Sequence, residues 1–386
     1  MHIVHVITSL YPGGAQSALS RLCLNDGGNR HTVITMIGGG GLETDLLKNG
    51  ITVETLGFSY RGGLVRGMLT LWKLLRRYRP DLVQTWMYHP DLIGGICARL
   101  AGIRTVCWGI RHTELESGNS SRSSILSAKL CAKLSGFLPS RIVCCAHEAM
   151  RVHEMLGYQS HKMTVIPNGY DLSAFYPYTN DECSHVVGLP DITGDLPVLG
   201  MVGRYNAQKD HLNLLKALAE LKRRNVDFRC LLVGADIVPT NAILSRYISE
   251  LGLDSEVVLL GVRTDIPAIM NRLDLHILPS SFGEAFPNVV AEAMACGTPC
   301  VGTDVGDTSV IIGTNGWVVP PRDHLRLADA IHSAIDEYNN SAVVWAGRRR
   351  SSVEHIRNNF TIDKMVSSFD TVWSDCIAAD CIASKE

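Results

Sequence analysis

Ser280-Ser281-Phe282-Gly283-Glu284-Ala285-Phe286-Pro287-Asn288-Val289-Val290-Ala291-Glu292-Ala293-Met294-Ala295-Cys296-Gly297-Thr298-Pro299 reads as a polar loop that leaves a strand at Pro279 and enters a helix near Pro287. Proline suits the first helical turn, where its missing N–H would have no partner anyway. The free N–H groups from Ala285 to Val289, backed by the helix dipole, then form a site for an anion. Glu284 lies in the loop and Glu292 inside the helix, with seven residues between them. Two carboxylates beside an anion site suit sugar hydroxyls, which donate hydrogen bonds that charge strengthens. Either Glu taken alone reads as a cap or a solvated helical residue, but the block as a whole does not.

On both sides of this block, short β-rich runs alternate with helix-length stretches. The strand candidates are His2–Thr8, His31–Met36, Ile51–Leu56, Leu82–Trp86, Thr105–Ile110, Arg141–Ala146 and Met163–Pro167. A second series is Val198–Gly203, Arg229–Gly234, Val257–Gly261, Leu275–Pro279, Pro299–Gly302 and Trp317–Val319. Such alternation means βαβ units on a parallel sheet, and it occurs twice. A polar stretch without periodicity between Asn168 and Leu196 is the natural connection. The expected fold is α/β, two Rossmann-like domains whose parallel sheets face a central cleft, with ligands at the carboxyl ends of the strands. Its parts are an N-terminal domain over 1–175, a linker over 176–196, a second domain over 197–355 and a helical tail over 356–386 crossing back to the first domain.

Two more turns carry chemistry. Gly203-Arg204-Tyr205-Asn206-Ala207-Gln208-Lys209-Asp210-His211 follows the first strand of the second half, with a helix expected from about Asp210. Arg204 as a fork and Lys209 as a point charge are placed to neutralise a diphosphate; solvated loop charges are the alternative. In Tyr11-Pro12-Gly13-Gly14-Ala15-Gln16 the paired glycines let backbone approach a ligand, although an ordinary tight turn would also account for them.

Composition excludes other classes. Apolar residues make up 46% and charged residues 19%, enough for a core in each half. The apolar start, Met1 to Thr8, lacks a basic leader and a cleavage site and reads as a strand. No uncharged run approaches the roughly 18 residues of a spanning helix. Twelve cysteines without CxxC pairs point to reduced, buried thiols and a cytoplasmic setting. The net charge of −2 disfavours a nucleic-acid binder, but the halves differ. Residues 1–190 carry 18 Lys+Arg against 13 Asp+Glu, and residues 191–386 carry 18 against 25.

Together these motifs resemble the retaining, nucleotide-sugar-dependent glycosyltransferases of family 4 (glycosyltransferase group 1), which have the GT-B fold. The resemblance runs over nearly the whole chain. It takes in Gly13–Gly14, Ile166-Pro167-Asn168-Gly169-Tyr170-Asp171, Gly203-Arg204 with Lys209, and Leu232-Val233-Gly234. It continues through Gly261-Val262-Arg263-Thr264-Asp265-Ile266, Glu284 with Glu292, and Thr303-Asp304-Val305-Gly306.

The resemblance implies roles. Arg204 and Lys209 would hold the donor diphosphate and stabilise the departing nucleotide. Glu284 would contact the donor sugar, with Phe286, Pro287 and Asn288 around sugar and phosphate, and Glu292 would meet the ribose. Gly13 and Gly14 form the glycine turn that abuts the diphosphate from the other domain, and Arg263 falls where the chain passes the base. His112 is the candidate for the histidine near the transferred sugar. Two departures stand out: Ala285 replaces the family's glycine and adds a methyl near the sugar, and Trp86 stands where many members have His, on the acceptor side. His89, close by, reads as a helix cap.

The expected activity is therefore retaining transfer of a hexose from a nucleotide-diphosphate sugar to a glycan or lipid-linked acceptor, in envelope or exopolysaccharide assembly. No D-x-D triplet occurs, so no metal and no cofactor are expected. Over residues 61–79, Leu64, Met68, Leu71 and Leu75 share one helical face, and Arg66, Lys73 and Arg77 the opposite one, with Arg76 and Arg79 near. The apolar stripe should pack on the sheet. The basic face could dock on anionic lipid at the inner face of the membrane or simply be solvated. The rival activities are a nucleotide-sugar epimerase of this fold and a non-catalytic sugar-nucleotide-binding partner. A dehydrogenase is disfavoured because neither half carries GxGxxG followed by an acid.

Overall fold

The computed structural model describes residues 1–58, 63–113, 121–179 and 196–383. The chain divides into two compact units: unit 1 is Met1–Gly169 resumed at Ile362, and unit 2 is Tyr170–Thr361. Most of the expected linker, residues 180–195, lies outside the described residues, as do 61–62 of the basic segment and 384–386 of the tail.

Unit 1 runs β1 (His2–Ile7), α1 (Gly14–Asn25), β2 (Arg30–Thr35), α2 (Gly41–Lys48), β3 (Thr52–Thr55), α3 (Gly63–Tyr78), β4 (Leu82–Trp86), α4 (Tyr88–Leu100), β5 (Val106–Ile110), α5 (Arg122–Leu134), β6 (Arg141–Cys144), α6 (His147–Leu156) and β7 (Met163–Val165). Unit 2 runs β8 (Val198–Val202), α7 (His211–Arg223), β9 (Arg229–Val233), α8 (Ala242–Glu250), β10 (Val257–Leu259), α9 (Ile266–Arg272), β11 (Leu275–Leu278), α10 (Asn288–Ala295), β12 (Cys300–Thr303), α11 (Thr308–Ile312), β13 (Trp317–Val319), α12 (His324–Asn340) and α13 (Ala342–Asn359). The chain then re-enters unit 1 as α14 (Ile362–Ala383).

Every expected strand is present, with ends within two residues of the expectation. The sheets are parallel throughout, in the orders β3-β2-β1-β4-β5-β6-β7 and β10-β9-β8-β11-β12-β13. Covered on both faces, such strands are continuous apolar runs; every residue of β4, β5 and β8 is buried. In each sheet the order reverses once, between β1 and β4 and between β8 and β11. Those two points are where ligands bind such folds.

Four side chains buried in unit 1 are joined in one chain. The Trp86 indole N–H donates to His5 Nδ1 at 3.2 Å, His5 Nε2 meets His31 Nδ1 at 2.9 Å, and His31 Nε2 meets Asp26 Oδ2 at 3.1 Å. An indole can only donate, so the tautomers follow in sequence: His5 donates to His31, and His31 donates to Asp26. Burial holds His5 and His31 below the ordinary histidine range, consistent with neutral rings. From α14, Met365, Phe369 and Trp373 enter the same core, and the Trp373 indole donates to Gln84 Oε1 at 3.1 Å.

The α3 stripe is offset from the expected one. Gly67, Leu71 and Leu75 are buried, whereas Leu64, at the open first turn, is 51% exposed. The eleven described cysteines are free, and all but Cys381 are buried.

Candidate functional site

In unit 2 the loops after β8 and β11 meet at the reversal of strand order. The Ser281 N–H donates to the Gln208 carbonyl at 2.8 Å, which ties the two loops together. Asp210 starts α7 from the left-handed region (φ 45°), accepting from the Asn213 N–H, and the Lys209 N–H bonds Asn206 Oδ1 at 3.0 Å. This tight turn aims the Lys209 ammonium at Glu284 Oε1, 2.7 Å away; the Ser280 hydroxyl donates to the same oxygen at 2.7 Å. The side chains of Lys209 and Glu284 are only 14% and 9% exposed. Burying an ion pair costs desolvation on both sides, so its presence at a loop junction points to use rather than to stability.

The Glu284 loop is braced from behind. Thr303 Oγ1 donates to the Ser280 carbonyl at 2.5 Å, and the Asp307 N–H to the Ala285 carbonyl at 2.9 Å. Gly306, at φ 61°, passes so close that a Cβ there would lie 2.2 Å from the Glu284 carbonyl oxygen. Arg204 is exposed in the facing loop and forms no ion pair among the described residues. Burial and Lys209 push His211 down to about 4 and His276 to about 3, leaving both rings neutral beside the cation.

Helix α10 begins one residue later than expected. Pro287 is its N-cap rather than a member of its first turn, with φ −70° and ψ 102°, and Asn288 is the first helical residue. Asn288 Oδ1 accepts from the Tyr170 hydroxyl at 2.7 Å, and Tyr170 and Phe360 flank the buried Phe286. Glu292 is half-buried one turn further along the same helix. Lys209, Glu284, Phe286, Pro287 and Asn288 thus stand at the junction of the loops after β8 and β11, with Arg204 in the first of those loops and Glu292 one turn into α10.

Arg263 stands on another loop. It follows β10, two strands out from β8, and Asp265 grips its guanidinium at 2.8 and 2.6 Å.

At the equivalent reversal in unit 1 there is a cavity of 720 Å³. Its walls come from the carboxyl ends of β1 to β5: Thr8, Met36, Phe58, Met87 with Tyr88 and His89, and His112. Ile37, Leu64 and Ile93 add apolar surface, and Gln16, Ser121, Ser123 and Ser124 add polar groups. Behind it the Tyr88 hydroxyl donates to His153 Nε2 at 2.9 Å, since His153 Nδ1 donates to the Ala149 carbonyl at 2.7 Å. Burial takes His153 down to about 4.

Two expectations about unit 1 change. Trp86 is fully buried and turned towards His5, so it does not face the cavity; Met87, Tyr88 and His89 do. His89 is inside α4 and lines the cavity, the N-cap being Met87 without a side-chain bond. Gly13 is the extended N-cap of α1, and a Cβ on Gly14 would meet open space. A close approach of the chain to its own backbone occurs at Gly40 (φ 128°), where a Cβ would lie 2.1 Å from the Leu10 carbonyl carbon. Its signal in the sequence is the four-glycine run Gly38–Gly41.

As for metals, among the described residues His5, Cys23 and His31 bring donor atoms within 4.8 Å of one another. Both rings there are already committed to the hydrogen-bonded chain, and the Trp86 N–H occupies His5 Nδ1, so the group does not fit a metal ion.

Two family models match the chain: one described as Glycosyltransferase Family 4 over residues 12–174, the other as Glycosyl transferases group 1 over residues 196–337. The UDP-Gal:alpha-D-GlcNAc-diphosphoundecaprenol alpha-1,3-galactosyltransferase of Escherichia coli is 27% identical over 321 residues, 81% of this chain and 80% of the relative. The D-inositol 3-phosphate glycosyltransferase of Mycolicibacterium smegmatis is 29% identical over 59% of this chain and 52% of its own length. Among solved structures, Anabaena HepE (Alr3699) in complex with UDP superposes with a TM-score of 0.84 at 22% identity, covering 97% of this chain and all of that one. That likeness concerns the fold, which is the GT-B type.

Proposed function

Because the chain belongs to the glycosyltransferases of family 4 (glycosyltransferase group 1), we propose that it moves a hexose from a nucleotide-diphosphate sugar to a glycan or lipid-linked acceptor, with retention at the anomeric carbon, in envelope or exopolysaccharide assembly. The observation that carries this reading is the largely buried Lys209–Glu284 pair, with Arg204 on the same loop as Lys209 and α10 opening beyond Glu284. When the bond from the anomeric carbon to the diphosphate breaks, negative charge grows on phosphate and positive charge on the sugar ring. Arg204, Lys209 and the N–H groups opening α10 stabilise the first. Glu284 accepts from a sugar hydroxyl, Glu292 from the ribose, and Phe286 to Asn288 shape the wall. The acceptor hydroxyl forms the new bond, and its proton leaves on the departing nucleoside diphosphate.

The unit 1 cavity takes the acceptor, with His112 and His89 among its polar groups. An apolar enclosure with a few hydroxyl and imidazole groups suits an acceptor that is part lipid and part sugar. The Escherichia coli relative, a UDP-Gal-dependent enzyme acting on a diphosphoundecaprenol acceptor, and HepE, seen in complex with UDP, support this pairing. Work at the inner face of the membrane follows from such an acceptor. Protein cations take the place of a divalent ion at the diphosphate.

A donor screen tests the reading. Nucleotide release is measured from UDP-, GDP- and ADP-hexoses, with and without lipid extract, in the presence and absence of EDTA. Acceptor-dependent release from one donor, unchanged by chelation, is the expected result. No release from any donor, or complete loss in EDTA restored by Mg²⁺, would overturn it.

A further inference from the structure

We propose that Cys107 in β5 and Cys376 in α14 form a peroxide-sensitive thiol pair, whose disulfide pins the returning helix to the sheet of unit 1. The site lies in the core of unit 1, and its chemistry is independent of the transfer reaction.

The first observation is how α14 lies on the sheet. Met365, Phe369, Trp373 and Cys376 recur at helical spacing, and all four enter the core of unit 1. The Trp373 indole bonds Gln84 of β4, and Gln84 stands opposite Cys107 in the register of β4 with β5. One turn further along the helix, Cys376 reaches the neighbouring strand, and its Sγ lies 3.8 Å from that of Cys107. A disulfide spans about 2.05 Å, so closing it takes about 1.8 Å of sulfur movement, which side-chain rotation shared by the two residues supplies.

The second observation is an asymmetry between the two thiols. Cys107 is fully buried, and Cys376 keeps 6% exposure, so a small oxidant meets Cys376 first. The hydrogen bond from Cys107 holds the Cys376 thiol below the ordinary cysteine range, and the same contact, with burial, pushes Cys107 up. Elsewhere burial takes Cys97 up to about 11 and Cys230 and Cys296 up to about 12, which keeps those thiols inert.

The reaction balances with hydrogen peroxide as the oxidant. The Cys376 thiolate attacks one peroxide oxygen, the O–O bond breaks, hydroxide departs, and Cys376 becomes a sulfenic acid. The Cys107 sulfur then attacks Cys376 Sγ: the S–S bond forms, the S–O bond breaks, and the departing hydroxide takes the Cys107 proton as water. Together the two thiols give up two electrons and two protons, and one peroxide becomes two waters. A dithiol reductant reverses the link by exchange. The two positions are 269 residues apart and enclose all of unit 2, so the link constrains the unfolded chain strongly.

Peptide mapping of the full chain by mass spectrometry, under non-reducing conditions and with or without peroxide, is the test. Peroxide should give a linked pair of peptides, Cys107 with Cys376, lighter by two hydrogen atoms than the free thiols, and dithiothreitol should restore both. The oxidised protein should melt at least about 5 °C above the reduced one. Cys376→Ser should abolish the link and the shift, whereas Cys381→Ser, at the exposed cysteine of the same helix, should keep both. The wild-type map needs no variant, so it decides the matter even where Cys376→Ser folds poorly. Peroxide that leaves both thiols open to alkylation, links Cys381 instead, or carries Cys376 on to the sulfinic acid without a link overturns the proposal. A Cys107–Cys376 link that leaves melting unchanged overturns the pinning of α14.

Discussion

The two reversals of strand order are the same feature of the same topology, yet they are built from opposite materials. In unit 2 it is a set of short loops cross-tied by backbone bonds around a largely buried ion pair, with an open helix N-terminus beside it. In unit 1 it is a 720 Å³ space walled by Met36, Phe58, Met87 and Ile93, with histidines and serines at its edge. The fold supplies the position, and the loop residues supply the chemistry. A charged, rigid junction serves a reaction that separates charge, and a roomy apolar one serves recognition of a large amphipathic molecule.

The strongest way to break that contrast is to remove the cations. Arg204→Ala or Lys209→Ala should each cost at least about 10²-fold in turnover, the scale of losing one partner of a transition-state charge. Steady-state kinetics within threefold of wild type for both would end the assignment.

Glu284→Gln comes next. It leaves the ammonium of Lys209 without its carboxylate and should lower both turnover, by tenfold or more, and stability, by about 1–3 kcal/mol in urea unfolding. Adding Lys209→Met should return the stability, because removing both members of a buried pair is close to neutral, while activity stays lost. Continued instability of the double variant would mean that the pair is structural.

The unit 1 side is probed by Ile37→Asp, which puts one charge at the wall of the cavity. The KM for a lipid acceptor should rise about tenfold, with nucleotide affinity measured by calorimetry unchanged. An equal loss of both would merge the two sites into one.

The smallest effect is one of pH. His153 in unit 1 and His211 and His276 in unit 2 are held neutral by burial, at about 4, 4 and 3. The unfolded chain takes up protons near 6.5 and the folded one does not, so stability falls as pH drops from about 6.5 towards 4 and levels off below. Between pH 7 and 6 each ring should cost under about 1 kcal/mol. Thermal melts at the two pH values check the sign, and His211→Gln should lessen the slope.

The strands were legible because parallel, doubly covered strands are unbroken apolar runs with Gly or Pro near their ends, as at Leu275–Pro279. The unit 2 loops were legible because a strand end, a cation and a helix start lie within ten residues of one another. What local pattern does not carry is partnership across distance. Tyr170 gave no sign that it would bond Asn288, and Trp86 none that it would turn inward to His5. Pro287 is a fair candidate for a first helical turn, and only the backbone angles make it the cap. Histidines at 5 and 31 inside apolar strands were the visible irregularity that marked the buried chain to Asp26. On α5, the exposed Leu126 and Leu130 are spaced like core residues, and burial alone decides which face they take.

Unit 1 closes with α14, and this bears on how the protein is made. Its seven strands have been synthesised by residue 165, but Phe369 and Trp373, two of its largest buried side chains, are made only after the whole of unit 2. Unit 2 is continuous from Tyr170 to Thr361 and its whole core is available earlier. Vectorial folding, which ordinarily completes domains from the N-terminus onward, is therefore inverted: the unit begun second is finished first. Until α14 arrives, the nascent first unit exposes the apolar floor that these aromatic rings will cover, and a chain stopped at residue 361 loses its integrity in the part translated first.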